Sequence, residues 1–356
     1  MAEPAVDLVA LGWDDDWRAA SHAYPDELVG RIAGVDRGLA SILTQHGVIR
    51  ASYGAAVLAA IATDPLSSPC TGDWCLVRHW PDGPFVIETV LPRRTVLTRA
   101  EASRRSQGQV LAANMDVVAV VAGLHPEPNL GRLERMLTLA WDSGARPLVV
   151  LTKADMVTDS RQLADDVAGI TPGADVLCTS VVSGRGIDTL RSMLAGRLTV
   201  ALMGASGHGK SSLANALVGV DVLAAQPIRD DGRGRHTTVR RELLLLPEGG
   251  AVVDTPGLRG VGLLSPAGSL DEVFADVQGL SRHCRFSNCM HDAEPGCAVT
   301  QAVDEGTLGS RRLSSWRLLR REQLRMAART DLRLRAELTK QQKHLSKQAK
   351  AARRPG

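Results

Sequence analysis

Leu198-Thr-Val-Ala-Leu-Met-Gly204-Ala-Ser-Gly-His-Gly-Lys210-Ser-Ser-Leu-Ala-Asn-Ala-Leu-Val-Gly219 decides the fold. The apolar run to Gly204 predicts a strand, and the run from Lys210 predicts a helix. Gly204, Ala205, Ser206, Gly207, His208, Gly209, Lys210, Ser211 and Ser212 therefore occupy a strand-to-helix turn of the form G-x-x-x-x-G-K-S. Its glycines let backbone N–H groups face a phosphate at the positive end of the following helix. Lys210 reaches the β and γ phosphates, and the Ser211 hydroxyl is placed to ligate Mg²⁺. A chance glycine-rich turn is the alternative, but strand and helix stand on the correct sides. Alone, the motif implies a nucleotide and not which one.

The flanking segments narrow the base. Downstream, Ala251-Val-Val-Asp254-Thr-Pro-Gly257 is an apolar run ending in D-x-x-G, about 45 residues past the phosphate loop. That position sets Asp254 beside Mg²⁺ and the Gly257 N–H near a γ-phosphate. Between them, Asp231-Gly-Arg-Gly-Arg-His236-Thr-Thr238-Val239 carries hydroxyls that complete a Mg²⁺ shell, with Thr238 preferred over Thr237. Upstream, Pro147-Leu-Val-Val-Leu-Thr152-Lys153-Ala-Asp155 runs into T-K-x-D. An aspartate there accepts both N1–H and N2–H of guanine, donors that adenine lacks, and a site built on such bonds rejects an analogue without them. Lys153 lays its stem along the base. Thr152 lacks the asparagine amide that commonly ties this loop to the phosphate loop, so weakened binding is expected. Cys178-Thr-Ser180-Val181-Val-Ser-Gly-Arg-Gly186 reads as an S-A-x-like loop toward the base oxygen, with valine for alanine. Singly, each is an ordinary turn; together they point to guanine.

An ordinary small GTPase meets the phosphate loop first and the base segment later; here the base segment comes first. That order, with G234-R-H-T-T-V-R-R-E-L243, D254-T-P-G-L-R259, Q109-V-L-A-A-N-M-D116 and C284-R-F-S-N-C-M-H-D-A-E-P-G-C-A-V299, resembles the RsgA (YjeQ) family of circularly permuted, small-ribosomal-subunit biogenesis GTPases over about residues 28–310. The resemblance implies an oligonucleotide-binding (OB) barrel that docks on the small subunit, subunit-stimulated GTP hydrolysis, and a zinc domain that touches ribosomal RNA. Leu258 stands where many GTPases place a water-orienting glutamine. His236, matching the family's switch histidine, is the candidate catalytic group, with His208 a weaker one.

The expected fold class is multidomain: an OB-like β-barrel, a permuted α/β P-loop GTPase domain, and a helical zinc-binding domain with a basic tail. The expected divisions are an acidic extension at 1–27, the barrel at 28–108, the GTPase domain at 109–262, the zinc domain at 263–310 and a partly disordered helical tail at 311–356. Five strands are read in the barrel, one of them Ala56-Val-Leu-Ala-Ala-Ile-Ala62; the extension carries one short helix and no assigned role. Beyond it, β and α runs alternate, as in a mainly parallel sheet covered on both faces.

Cys284, Cys289, His291 and Cys297 supply three thiolates and an imidazole within fourteen residues, the closed tetrahedral set of a structural Zn²⁺. From Ser310 to Gly356 there are 15 Lys/Arg against three Asp/Glu, so this segment carries +12 and residues 1–309 carry −9. Such a tail fits a polyanion, nucleic acid ahead of membrane, or simply a solvated terminus. It reads as an imperfect amphipathic helix with one face on protein and its arginines free for phosphate. No apolar run approaches the roughly 20 residues of a membrane span. A cytoplasmic monomer, with GTP/GDP and the small ribosomal subunit and its rRNA as partners and Mg²⁺ and Zn²⁺ as cofactors, is expected. The rivals are a P-loop ATPase, which Asp155 disfavours, and an RNA-binding assembly factor that uses GTP only as an affinity switch.

Overall fold

The computed structural model describes residues 6–81, 83–99, 108–220, 242–255, 269–292, 294–337 and 339–340. Near the N-terminus lies helix α1 (Asp15–Ser21), capped by the Asp14 carboxylate, which accepts the Trp17 N–H at 3.0 Å. Strands β1 (Leu28–Asp36), β2 (Leu39–Thr44), β3 (Gly47–Tyr53), β4 (Trp74–His79) and β5 (Phe85–Val90) close into a barrel in the order β1-β2-β3-β5-β4. All pairs are antiparallel except β3 with β5. Ile32, Ile42, Ala51, Cys75, Val77 and Ile87 fill the interior, as alternation along a closed sheet requires.

One expected strand is instead helix α2 (Ala55–Thr63). A continuous apolar run does not by itself separate strand from helix, and alanine is the strongest helix former. Only Val57 of α2 is buried, so the helix rests on the barrel's core through that residue and a half-buried Ile61 rather than joining its wall. The fifth strand is β2, Leu39-Ala-Ser-Ile-Leu-Thr44, which was not among the expected strands.

Strands β6 (Val96–Arg99) and β7 (Gln109–Ala113) pair antiparallel and lead into the second unit. There β8 (Val117–Gly123), α3 (Leu130–Asp142), β9 (Arg146–Thr152), α4 (Ser160–Ala168), β10 (Asp175–Cys178), α5 (Ile187–Leu194), β11 (Thr199–Gly204), α6 (Lys210–Val218), β12 (Leu243–Leu245) and β13 (Ala251–Asp254) follow in turn. The sheet order is β10-β9-β8-β11-β13-β12, parallel throughout except at β12. Every residue of β8 is buried, and its side chains divide by parity. Val118, Val120 and Ala122 join a core with Leu133, Met136, Leu137 and Ala140 of α3, while Val117, Ala119 and Val121 meet α5 and α6 on the opposite face. The i, i+3, i+4, i+7 spacing on α3 is the stripe a helix presents to a sheet.

After the second unit come α7 (Ser269–Val273), α8 (Ala275–Ser281), α9 (Ala298–Asp304) and α10 (Ser310–Thr330). Here the tail differs from expectation, because several of its arginines turn inward. Arg312, 4% exposed, donates to Glu134 of α3 at 2.7 Å and to Asp276 of α8 at 3.0 Å. Arg311 also reaches Glu134, at 3.0 Å. A buried carboxylate at Glu134 needs cations, and the start of α10 supplies them.

The N-terminal segment is likewise more than a lead-in. Trp13 packs edge-on against Trp74 at 4.9 Å between ring centroids, and Arg94 lies over Trp17 at 4.3 Å while gripping Asp14 at 2.6 and 2.7 Å. Arg31, almost fully buried, donates to the carbonyls of Leu11, Gly72 and Asn114, tying this segment, the barrel and the β7–β8 junction together. Burial pulls its guanidinium down to about 10, with Asp116 and Asp73 opposing.

The Glu134→Ala protein leaves buried Arg312 with Asp276 and the Val273 carbonyl but without its fully buried carboxylate partner. It is expected to lose about 2–3 kcal/mol, somewhat less than the full cost of stripping a buried ion of its partner. Urea denaturation measures this, and a midpoint equal to that of the parent would show that the pair does not hold α10 on α3.

Candidate nucleotide site and metal centre

Parallel strands point their carboxyl ends the same way, so the loops after β8, β9, β10, β11 and β13 gather at one edge. The loop after β11 runs from Gly204 to Gly209 and opens into α6 at Lys210. Its first residue must be glycine: a Cβ at Gly204 would lie 2.4 Å from the Val121 carbonyl oxygen. Gly209 has φ +82°, a left-handed turn that aims the following N–H groups into the loop. Ala205 is buried, Ser206 and Gly207 are exposed or nearly so, and Ser211 and Ser212 are half-buried in the first turn of α6.

Lys210 is 7% exposed, and its Nζ donates to the Ala205 carbonyl at 3.1 Å, within the curl of its own loop. Burial lowers its pKa and neighbouring Asp254 partly restores it. Asp254, at the end of β13, has its pKa raised by burial, against the pull of Lys210 and Ser211. The Ser211 hydroxyl donates to Asp254 Oδ2 at 2.9 Å, while Oδ1 is buried with no partner among the described residues. A hydroxyl and a half-satisfied carboxylate at the mouth of a phosphate loop are hard oxygen donors that fit a divalent cation.

The base segment follows β9. Lys153 adopts φ +61°, turning the chain so that Asp155 is exposed at the rim, where Ser180 Oγ donates to its Oδ1 at 2.5 Å. Ser180 also accepts the Ser183 N–H at 3.1 Å, which shapes its own loop. Val181 is exposed beside it. Lys153 Nζ donates to the His125 carbonyl at 3.2 Å, so its stem spans the loop after β8.

Thr152 makes a tie of its own. It lacks the amide, yet its hydroxyl donates to the His208 carbonyl at 2.7 Å and so ties base loop to phosphate loop. A buried hydroxyl on a strand end reaches a backbone acceptor that the sequence alone does not locate. The His208 ring is half-buried, with its Nδ1 unpartnered among the described residues; burial lowers its pKa, a hydrogen bond with the Val121 backbone opposes this, and Lys210, Lys153 and Arg132 add to the lowering. His236, Thr238 and Gly257 lie outside the described residues.

The second constellation lies between α8 and α9. The ligand atoms of Cys284, Cys289, His291 and Cys297 all fall within 4.8 Å of one another. Cys284 Sγ stands 3.6 Å from His291 Nδ1 and 3.9 Å from Cys297 Sγ, and Cys297 Sγ stands 3.4 Å from His291 Nδ1. Those edges match a tetrahedron with metal–sulfur bonds of about 2.3 Å. A metal ion fits, and no ligand position remains for a reactant. α10 covers this cluster: Trp316 lies 5.0 Å from the His291 ring, and Arg317 donates to the His291 carbonyl. That cover is invisible in the sequence, because nothing in the spacing joins residue 291 to residue 317.

Fold and site together define a phosphate-loop GTPase whose strand order is spatially ordinary and sequentially permuted, preceded by a barrel and followed by a metal cluster. The description "RsgA GTPase" matches residues 90–264. The small ribosomal subunit biogenesis GTPase RsgA of Streptomyces coelicolor is 49% identical over 354 residues, covering 97% of this chain and 94% of the relative. The protein named small ribosomal subunit biogenesis GTPase RsgA 2 of Lactiplantibacillus plantarum is 42% identical, covering 89% of each chain. Among solved structures, YjeQ from Thermotoga maritima aligns with a TM-score of 0.60 at 26% identity, over 84% of this chain and 99% of that one. The chain belongs to the RsgA GTPase family and is an enzyme that hydrolyses GTP.

Thr152→Ala removes the tie between the two loops and is expected to weaken GTP and GDP binding about fivefold, the worth of one ordinary hydrogen bond of about 1 kcal/mol. Thr152→Ser should restore it. Titration of a fluorescent guanine nucleotide reads both; unchanged affinity in the alanine variant would deny the tie a role in binding.

Proposed function

We propose that this protein acts in the biogenesis of the small ribosomal subunit, as a cytoplasmic, monomeric GTPase whose turnover the subunit stimulates. What supports the reading above all is the likeness to proteins of that name along nearly the whole chain. The barrel, the nucleotide edge and the metal cluster all lie within the aligned length.

In this reading Asp155 accepts from guanine, Lys153 lies along the base, and Ser180 and Val181 border it. Residues 204–212 cradle the phosphates, with Lys210 on the β and γ groups. Ser211, Asp254 and Thr238 hold Mg²⁺, and the Gly257 N–H meets the γ-phosphate. The bound cation offsets negative charge on the transferring phosphoryl group. His236 orients the attacking water, a task Leu258 cannot perform. Asp155 selects guanine because a carboxylate only accepts, and guanine presents two donors.

The decisive measurement is multiple-turnover phosphate release from GTP with and without purified small subunits. Slow basal turnover and a rise of at least about tenfold with subunits are expected, and His236→Ala should abolish most of the rise. No turnover above background in either condition would leave the protein a nucleotide-gated RNA-binding factor. Full stimulation in the His236→Ala protein would remove the catalytic role of that histidine.

Zn²⁺ is proposed for the Cys284, Cys289, His291 and Cys297 cluster, held there for stability. The purified protein should contain about one zinc per chain. Strong chelation should lower the thermal midpoint without abolishing nucleotide binding, since none of the four ligands belongs to the nucleotide loops. Zinc-free protein of unchanged midpoint would contradict this.

A further inference from the structure

Six of the seven arginines of α10 fall into two sets; the seventh, Arg320, is half-buried and forms no ion pair among the described residues. Arg311, Arg312 and Arg317 each pair with the protein, through Glu134, Asp276 and Asp292. Arg321, Arg325 and Arg329 are exposed and form no ion pair among the described residues. Arg321 donates one N–H to the Arg317 carbonyl at 3.2 Å, within the helix. These three recur every fourth residue, so they stand on one face, about 6 Å apart along the axis.

We infer that the outward row Arg321, Arg325 and Arg329 of α10 is a docking surface for the sugar-phosphate backbone of RNA. The inference rests on the proposed ribosomal partner and assigns part of that interface to a definite helix face. Three physical points carry it. Like charges at i and i+4 disfavour a helix, and the row finds no carboxylate among the described residues to offset this; only Arg329, in the last turn, is favoured by the helix dipole. The inward set takes three carboxylates, those of Glu134, Asp276 and Asp292, whereas the outward row takes none among the described residues. Finally, guanidinium forks at regular spacing suit phosphate oxygens, which accept two parallel N–H bonds from each fork.

The alternative polyanion is an anionic membrane surface. An interfacial helix needs an apolar face to enter the lipid. On α10 that face is already occupied: Leu313, Trp316 and Leu319 are buried against the protein. The row is therefore a backbone reader without an insertion face. It confers charge and register, not base specificity.

The test uses the full chain with Arg321→Gln, Arg325→Gln and Arg329→Gln combined, and a second protein with lysine at all three. Binding to purified small subunits and to a labelled RNA hairpin is measured from about 50 to 300 mM KCl, alongside phosphatidylserine vesicles. Each arginine that no longer meets a phosphate should lower the slope of log affinity against log salt by about 1, so the glutamine protein should fall by about 3. Its thermal midpoint should equal or slightly exceed that of the parent, because the like-charge row is gone, its basal GTP turnover should match, and lysine should restore most of the slope. An unchanged slope in the glutamine protein, while the parent binds RNA, overturns the inference alone. Loss of vesicle binding with RNA binding intact overturns it in favour of a membrane. If the parent itself binds neither subunit nor hairpin, the ribosomal reading fails, and the inference with it.

Discussion

A parallel sheet buried on both faces is the constraint on which the rest of this molecule depends. Each strand of its centre alternates between two cores, so a shift by one residue would exchange both sets of neighbours at once. Val117 to Gly123 is the clearest case, with no exposed residue in seven. Register is therefore rigid, and rigid register delivers the ends of β9, β11 and β13 to one edge. The bond of 2.7 Å between Thr152 and His208, and that of 2.9 Å between Ser211 and Asp254, exist because those strand ends cannot drift.

Spatial adjacency in such a sheet is indifferent to where the chain begins. Permutation leaves the nucleotide edge intact but changes what is attached to it. The chain leaving Asp254 goes on to α7, which packs on α3, and to the metal cluster beneath α10. At the other end of the same strand, the Gly250 N–H is held by the Ala10 carbonyl at 2.7 Å, from the segment that Trp13 and Trp17 staple to the barrel. Barrel, sheet and C-terminal helices thus share one continuous apolar core, including Trp74, Leu137, Phe274 and Trp316. A displacement at the γ-phosphate edge has a physical path to both flanking units.

How much was legible in the sequence follows from how local each signal is. The phosphate loop, the T-K-x-D turn and the Cys/His spacing are short patterns whose chemistry is carried by adjacent residues. The barrel was legible as a class but not in every part, because the run at 56–62 is apolar in a way that suits either strand or helix. The basic tail was legible as charge, but charge counts do not tell an arginine facing Glu134 from one facing water. Composition also left the N-terminal segment without a role, as an acidic extension with one short helix, although its tryptophans are buried in the core.

By itself, the sequence determined which atoms are available: a loop that binds phosphate, a carboxylate suited to guanine, three thiolates and an imidazole, and an excess of cations at one end. Those properties are local, since they depend on residue chemistry and on spacings of a few positions. Tertiary structure alone decided that a threonine hydroxyl replaces an amide as the tie between loops, that Arg31 and Glu134 are buried junctions, and that α10 divides its arginines between protein and solvent. Each of these joins residues far apart in the chain, and only the packing of the sheet sets their distance.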